Sequence, residues 1–433
     1  MTLRIINLFI VFIFSLNKLH AQAYTSYYTG NTQNVNVTGQ GGICMMGGAT
    51  EDDEAMKWFL RRANGGDILV LRASGSDGYN DYLYSQLGIS VNSVETIVFN
   101  DASAANNSYV KQKINRAEGI WFAGGDQWNY VSYFRNTPVD SIIRARKINS
   151  NIVIGGTSAG MAILGQAYFT AQNGTVYSDE ALANPYSSAV TVDTALFLEN
   201  NFLQNTITDT HFDDPDRKGR LTVFMARMVS DYSMDSRAIA CDEYTAVCID
   251  ENGIASVFGG WPTYDDNAYF IQINCENEIQ EPENCQPGQP LTWDRNASAL
   301  KVYNIKGTSS GTNTFDLNTW LSGEGGSWLN WSVQNGVLNE NESNAPDCMP
   351  LMILSDSNDL TIQLTKERLS VQSSIPLNLI EVIRLNGQVC LTESLHETKT
   401  ANLTIQKISN ELVFIKVTDT NGKTTIRKFH VLE

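Results

Sequence analysis

The sequence predicts a parallel, doubly wound α/β sheet followed by a small all-β sandwich. Three observations carry that prediction. From Ile43 to Ile154, short apolar runs alternate with stretches of helical periodicity at the spacing of βα units. Gly47-Gly48, Gly124-Gly125 and the glycines before Ser158 close three of those runs, at the strand C-termini where such a sheet opens its ligand crevice. Past residue 358 only short alternating runs remain, with turns at Asn386-Gly387 and Asn421-Gly422.

In chain order, residues 1–23 read as a secretory signal peptide. Arg4 gives the positive start, Ile5 to Leu16 the apolar stretch, and Ala21-Gln22-Ala23 a small-residue cleavage site. The apolar stretch is too short to span a bilayer. Residues 24–40 are polar and fit a loop or an edge strand. Ile43 to Met46 is a strand. Thr50-Glu51-Asp52-Asp53 supplies a helix cap and an acidic first turn, and Ala55 to Arg62 continues that helix. Strands follow at Asp67–Leu71, Val94–Phe99 and Gly119–Ala123, with helical patterns over Tyr79–Leu87, Ala105–Ala117 and Val139–Lys147. After residue 240 the pattern turns towards β. Ala246–Ile249 and Ala255–Phe258 read as a hairpin around Glu251-Asn252-Gly253, and Ser298–Ile305 as a further strand. The proline-punctuated stretch 339–358 reads as a linker. The expected domains are therefore 24–338 for the α/β part and 359–433 for the sandwich.

The 433-residue chain carries 30 Lys+Arg against 47 Asp+Glu, a formal charge of −17. That argues against nucleic-acid binding, which wants a basic face. Of the seven cysteines, Cys275 and Cys285 share a polar loop and are the expected disulfide pair. Cys44, Cys241 and Cys248 sit in apolar runs and read as buried thiols. No spacing suits a metal, and no cofactor is expected.

The chemistry centres on Asn151 to Leu164. Ile152-Val153-Ile154 is a strand, and Gly156-Thr157-Ser158-Ala159-Gly160 fits G-x-S-x-G, the nucleophile-elbow pattern. A serine on a sharp strand-to-helix turn needs small neighbours, because side chains at 156 and 160 would strike the packed strand or helix. The helix start leaves free N–H groups beside the hydroxyl. A serine nucleophile ordinarily needs a histidine base. The chain has four histidines: His20 lies in the signal, and His396 and His430 in the sandwich, which leaves His211. An orienting carboxylate is expected from Glu243, between two apolar strands, with Asp209, Asp179 and Glu180 as rivals. Gly125 and Ala159 are the expected oxyanion N–H donors, and Gln127 is placed to bind a substrate amide or carboxylate.

Taken together, Gly47-Gly48, Gly124 to Gln127, Gly155 to Gly160, Asp209 to Phe212 with Arg217 and Gly219-Arg220-Leu221, and Asp242 to Ala246 resemble the cyanophycinase-like serine peptidases, over roughly residues 41–305. The resemblance implies a flavodoxin-like α/β fold related to class I glutamine amidotransferases. It implies Ser158 as nucleophile, His211 as base and Glu243 as acid, with Gln127, Asp209, Arg217 and Arg220 as substrate contacts. The expected substrate is a peptide cut beside an acidic residue. Two positions depart from the family: Thr210 stands where it has Gln, and Pro215 where it has a further Arg. Residues 360–433 resemble the sorting domain of the Bacteroidetes type IX secretion system. They carry its Leu385-Asn386-Gly387-Gln388-Val389 turn and its closing run from Gly422 to Lys428. This implies the secretion machinery as a partner and a secreted or outer-surface location. A homodimer is compatible with the sequence.

Overall fold

The computed structural model describes residues 22–348, 360–364, 368–384, 388–404, 411–422 and 424–431. The chain divides into two units, Met1–Asp347 and Cys348–Glu433. Nearly all of the signal-peptide stretch, residues 1–21, lies outside the described residues, as do 349–358 of the expected linker, 359 of the expected sandwich and 385–387 of the sorting-domain turn.

In the first unit β1 (Tyr24–Gly30) is an edge strand, followed by β2 (Ile43–Met46), α1 (Asp53–Arg62), β3 (Asp67–Arg72), β4 (Ser93–Phe99), α2 (Ser108–Arg116) and β5 (Gly119–Phe122). Next come α3 (Gln127–Phe134), α4 (Pro138–Ser150) and β6 (Val153–Thr157). Short polar side chains start three of the helices. Asp52, Asn107 and Asp126 accept the free N–H groups of Ala55, Tyr109 and Trp128. The helical pattern over Tyr79–Leu87 becomes a single π turn, Tyr82–Gln86.

Beyond β6 lie α5 (Ala159–Ala162), β7 (Tyr168–Phe169), α6 (Ser178–Ala183), β8 (Val192–Asp193), β9 (Thr206–Asp209), α7 (Lys218–Tyr232) and β10 (Arg237–Cys241). The remaining strands of this unit are β11 (Ala246–Ile249), β12 (Ile254–Trp261), β13 (Asn267–Ile273), β14 (Leu300–Lys306), β15 (Asn313–Asp316), β16 (Gly323–Glu324), β17 (Gly326–Gln334) and β18 (Val337–Glu342).

One ten-stranded sheet has the order β1-β4-β3-β5-β6-β2-β11-β12-β15-β16. Its five central strands, β4 to β2, are parallel, as βα crossovers require. Its flanks are antiparallel, because hairpins such as β11–β12 extend it without a crossover. The sheet is therefore mixed, and the expectation of a mostly parallel sheet is corrected. A second, six-stranded sheet, β18-β17-β14-β13-β10-β9, is parallel only at β9–β10. The two sheets share one core. Leu69, Phe122, Ile154 and Val247 of the first belong to the same buried cluster as Ile239, Phe270 and Ile305 of the second. The other face of the second sheet buries Leu221, Phe224, Met225 and Met228 of α7. Burial of this extent dominates the stability of a unit this size.

Two expectations change. Residues 339–342, read as linker, extend β18 and pair with β17. Cys275 is disulfide-bonded, as is Cys348, but Cys285 is a free thiol, so the expected Cys275–Cys285 pair does not form. Proximity in a polar loop made that pair plausible without fixing the partner.

The second unit contains β19 (Leu360–Leu364), β20 (Arg368–Arg384), β21 (Val389–Thr404), β22 (Glu411–Asp419) and β23 (Thr424–Val431) in one antiparallel sheet. The 17-residue β20 pairs with β21 along both of its halves across register shifts, while β19 pairs with its first part and β22 with its second. Leu369, Val371, Ile380, Val382, Val413, Ile415 and Val417 form its core, consistent with a small all-β sandwich.

Candidate functional site

Ser158 is placed by the end of β6. It has φ 52° and ψ −119°, a left-handed conformation that costs a non-glycine residue on the order of 1–3 kcal/mol. The surroundings hold it there. Its N–H donates to Met46 O at 3.1 Å, and its carbonyl accepts from Ala162 N at 2.9 Å as α5 begins. The small neighbours are a matter of space. A Cβ on Gly160 would lie 2.0 Å from Phe122 O, and one on Gly156 would lie 2.5 Å from the Gly160 carbonyl carbon.

His211 follows β9 on a loop. Its N–H donates to Gly47 O at 2.8 Å, and the next residue, Phe212, is buried against Tyr269 and Trp331. That anchoring presents the imidazole to Ser158. His211 Nε2 lies 2.8 Å from Ser158 Oγ, and Nδ1 lies 2.5 Å from Glu243 Oε1. Glu243 sits in the turn after β10. Its N–H donates to Asp213 Oδ1 at 2.9 Å, and the following Tyr244 N–H donates to Gly48 O at 3.2 Å. With the Nδ1 proton on the carboxylate side, Nε2 is free to accept a proton from the hydroxyl. The rival carboxylates are otherwise engaged. Asp209 pairs with Arg220, Glu180 accepts from Ser187, and Asp179 accepts its neighbour's N–H.

Two contributors escaped the sequence reading. Gly48 has φ +127°, and a Cβ there would lie 2.3 Å from His211 Cε1. Its bare Cα is the seat of the imidazole. Asp213 orients the Glu243 backbone. The Gly47-Gly48 pair was the available signal for the first. No spacing signals the second.

The remaining expected residues divide. Ala159 opens α5 directly after Ser158, and the Gly124-Gly125 loop lies against the serine: a Cβ on Gly124 would be 3.6 Å from Ser158 Cβ. Gln127 starts α3, and its amide donates to Phe169 O at 2.9 Å. Asp209 and Arg220 are not available to a substrate. Arg220 Nε and Nη2 meet the two Asp209 oxygens at 2.9 and 2.5 Å, and the two side chains are each 4% exposed. Arg220 Nη1 is also taken up, by Thr175 and Val176. This pair braces the strand end that carries His211, which corrects its reading as a substrate contact. Arg217 differs. Its Nη1 donates to Thr210 O at 2.8 Å, its Nε has no partner, and it forms no ion pair among the described residues. Burial, and then the charge of Arg220, hold its pKa below the usual guanidinium range. Among the described residues no group of three or more His, Cys, Asp or Glu is placed to hold a metal ion.

A serine–imidazole–carboxylate row at the strand ends of an α/β sheet is the arrangement serine hydrolases use. Residues 72–257 match the model of peptidase family S51. The cyanophycinase of Synechococcus elongatus is 28% identical over 233 residues, covering 51% of this chain and 67% of its own. That of Nostoc sp. is 31% identical over 166 residues, covering 38% of this chain and 50% of its own. A solved peptidase from an acI-B1 Actinobacterium aligns over 54% of this chain and 91% of its own, at 16% identity and a TM-score of 0.40.

Proposed function

We propose that the protein is a serine peptidase that hydrolyses amide bonds beside acidic residues, in cyanophycin-like or other peptides. The observation that carries the proposal is the unbroken row from Ser158 Oγ through His211 to Glu243, at 2.8 and 2.5 Å. Ser158, on a nucleophile elbow, attacks the carbonyl. His211 takes its proton and returns it to the leaving amine, and Glu243 holds the imidazole tautomer. The N–H groups of Gly125 and Ala159 receive the oxyanion. Arg217 is the guanidinium with capacity to spare beside His211, so it reads the substrate carboxylate. Gln127, at the start of α3 just after the Gly124-Gly125 loop, is assigned to the substrate as well. Pro215 and Thr210, where the cyanophycinase-like family has Arg and Gln, favour a shorter acidic peptide over cyanophycin itself.

The test is cleavage profiling by mass spectrometry on a mixed peptide library plus cyanophycin, with Ser158→Ala as the blank. Cleavage beside Asp or Glu that vanishes in the variant is the expected result. Substrate bound equally by both proteins and cut by neither would replace the peptidase with a binding protein on the same scaffold.

We also propose export through the N-terminal segment, with the C-terminal unit read by the type IX secretion machinery. Disulfide-bonded Cys275 and Cys348 support an oxidising destination. N-terminal sequencing of protein recovered outside the cell should start just after Ala23; material retaining Met1 would refute it.

A further inference from the structure

Cys44 and Cys248 are both buried free thiols, and neither takes part in the chemistry above. They stand directly opposite one another on β2 and β11, in an antiparallel register that also pairs Met46 with Ala246 and Ile43 with Ile249. Both side chains enter the same hydrophobic cluster, so they project from one face of the sheet. Their sulfurs are 3.6 Å apart, already in contact. Directly opposed residues of an antiparallel pair have Cα atoms about 4.5–5.5 Å apart, within the range a disulfide spans. Closing to the ~2.0 Å of an S–S bond needs side-chain rotation, without shifting either strand. Cys241, the third buried thiol nearby, belongs to the cluster on the other face.

We propose that Cys44 and Cys248 form a cross-strand disulfide as the chain folds under oxidising conditions. Cys275 and Cys348 are disulfide-bonded, which is consistent with such conditions. The oxidant is a disulfide of the glutathione type. One cysteine thiolate attacks it and releases one glutathione thiol, leaving a mixed disulfide. The second cysteine thiolate then displaces the other glutathione as a thiol. Two protein thiols are thereby oxidised, and one glutathione disulfide is reduced to two thiols. The exchange precedes closure of the sheet, because in the folded chain burial raises the Cys248 thiol well above its ordinary range and excludes the oxidant. The bond would staple the strand that ends in Gly47-Gly48, the seat of His211, to the strand that follows the Glu243 turn. It forms beneath both partners of the imidazole without touching either.

The experiment uses the full chain, recovered from an oxidising expression compartment. Free thiols are alkylated under denaturing conditions, the protein is digested without reduction, and the peptides are analysed by mass spectrometry. The expected result is a peptide linking Cys44 to Cys248, two hydrogens lighter than the sum of its parts and split by dithiothreitol, with Cys241 alkylated. Full alkylation of Cys44 and Cys248 in a digest where Cys275 and Cys348 are bridged overturns the proposal. So does a bridge from either residue to Cys241.

Discussion

Gly48→Ala tests the site at a residue that has no chemistry of its own. The new Cβ would lie 2.3 Å from His211 Cε1 and 2.4 Å from Nε2. Carbon atoms settle at about 3.5–4.0 Å, so the imidazole must retreat by more than about 1 Å. The Nε2–Oγ distance of 2.8 Å then opens towards about 4 Å, beyond hydrogen-bond range. A displacement of about 1 Å in a reacting group costs on the order of 100-fold, or about 2.7 kcal/mol of barrier. The backbone adds strain, since φ +127° is glycine territory. The assay should not depend on knowing the substrate. A fluorophosphonate that modifies an activated serine reports directly on the Ser158–His211 pair, read as the second-order rate of mass gain. Gly78→Ala serves as the control, because a Cβ there meets nothing within 4 Å. The expected outcome is a fall of about 100-fold for Gly48→Ala, with unchanged circular dichroism, and no change for the control. A folded Gly48→Ala protein labelled within about threefold of the parent rate would refute the view that this glycine seats the base.

Three further outcomes follow from the same geometry. Arg220→Ala strands the buried Asp209 carboxylate and should destabilise the fold by about 3–5 kcal/mol in denaturant unfolding; a loss under about 1 kcal/mol would show the pair to be solvated. Arg217→Gln should raise KM for an acidic peptide by about tenfold or more while leaving kcat near the parent value; an equal fall in kcat with KM unchanged would move Arg217 out of ground-state recognition. Asp242, beside Glu243, is pushed up to about 7 by burial, against the opposing hydrogen bonds from Asn267, while its unfolded value is near 3.8. Both states hold the proton below that lower value. As pH rises towards 7 the unfolded chain ionises first, so this residue's contribution falls across that window, by up to about 4 kcal/mol. Asp242→Asn should flatten the decline in unfolding free energy between about pH 3.8 and about 7. Parallel curves for parent and variant would count against it.

What the sequence disclosed, and what it hid, follows from how each feature is encoded. The parallel strands were legible because a strand buried on both faces tends to be a near-continuous apolar run, as Ile68 to Leu71 within Asp67–Arg72 and Thr96 to Phe99 within Ser93–Phe99 nearly are. The antiparallel flanks were less so: β15 and β16 are short and polar, and they owe their place to a neighbour's free edge. Elimination singled out His211 because histidines are scarce here, and its Nε2 does lie 2.8 Å from Ser158. The same reasoning cannot settle residues that compete for one another. Asp209 and Arg220 carry the charges expected of substrate contacts, yet placed 2.5 Å apart and 4% exposed they satisfy each other. A motif records residue types, and only the fold decides which charges are consumed in holding the loop and which are left for a ligand. Of the two arginines this leaves Arg217, whose Nε has no partner, and that difference is the reason a substitution there should act on substrate binding while one at Arg220 acts on the fold.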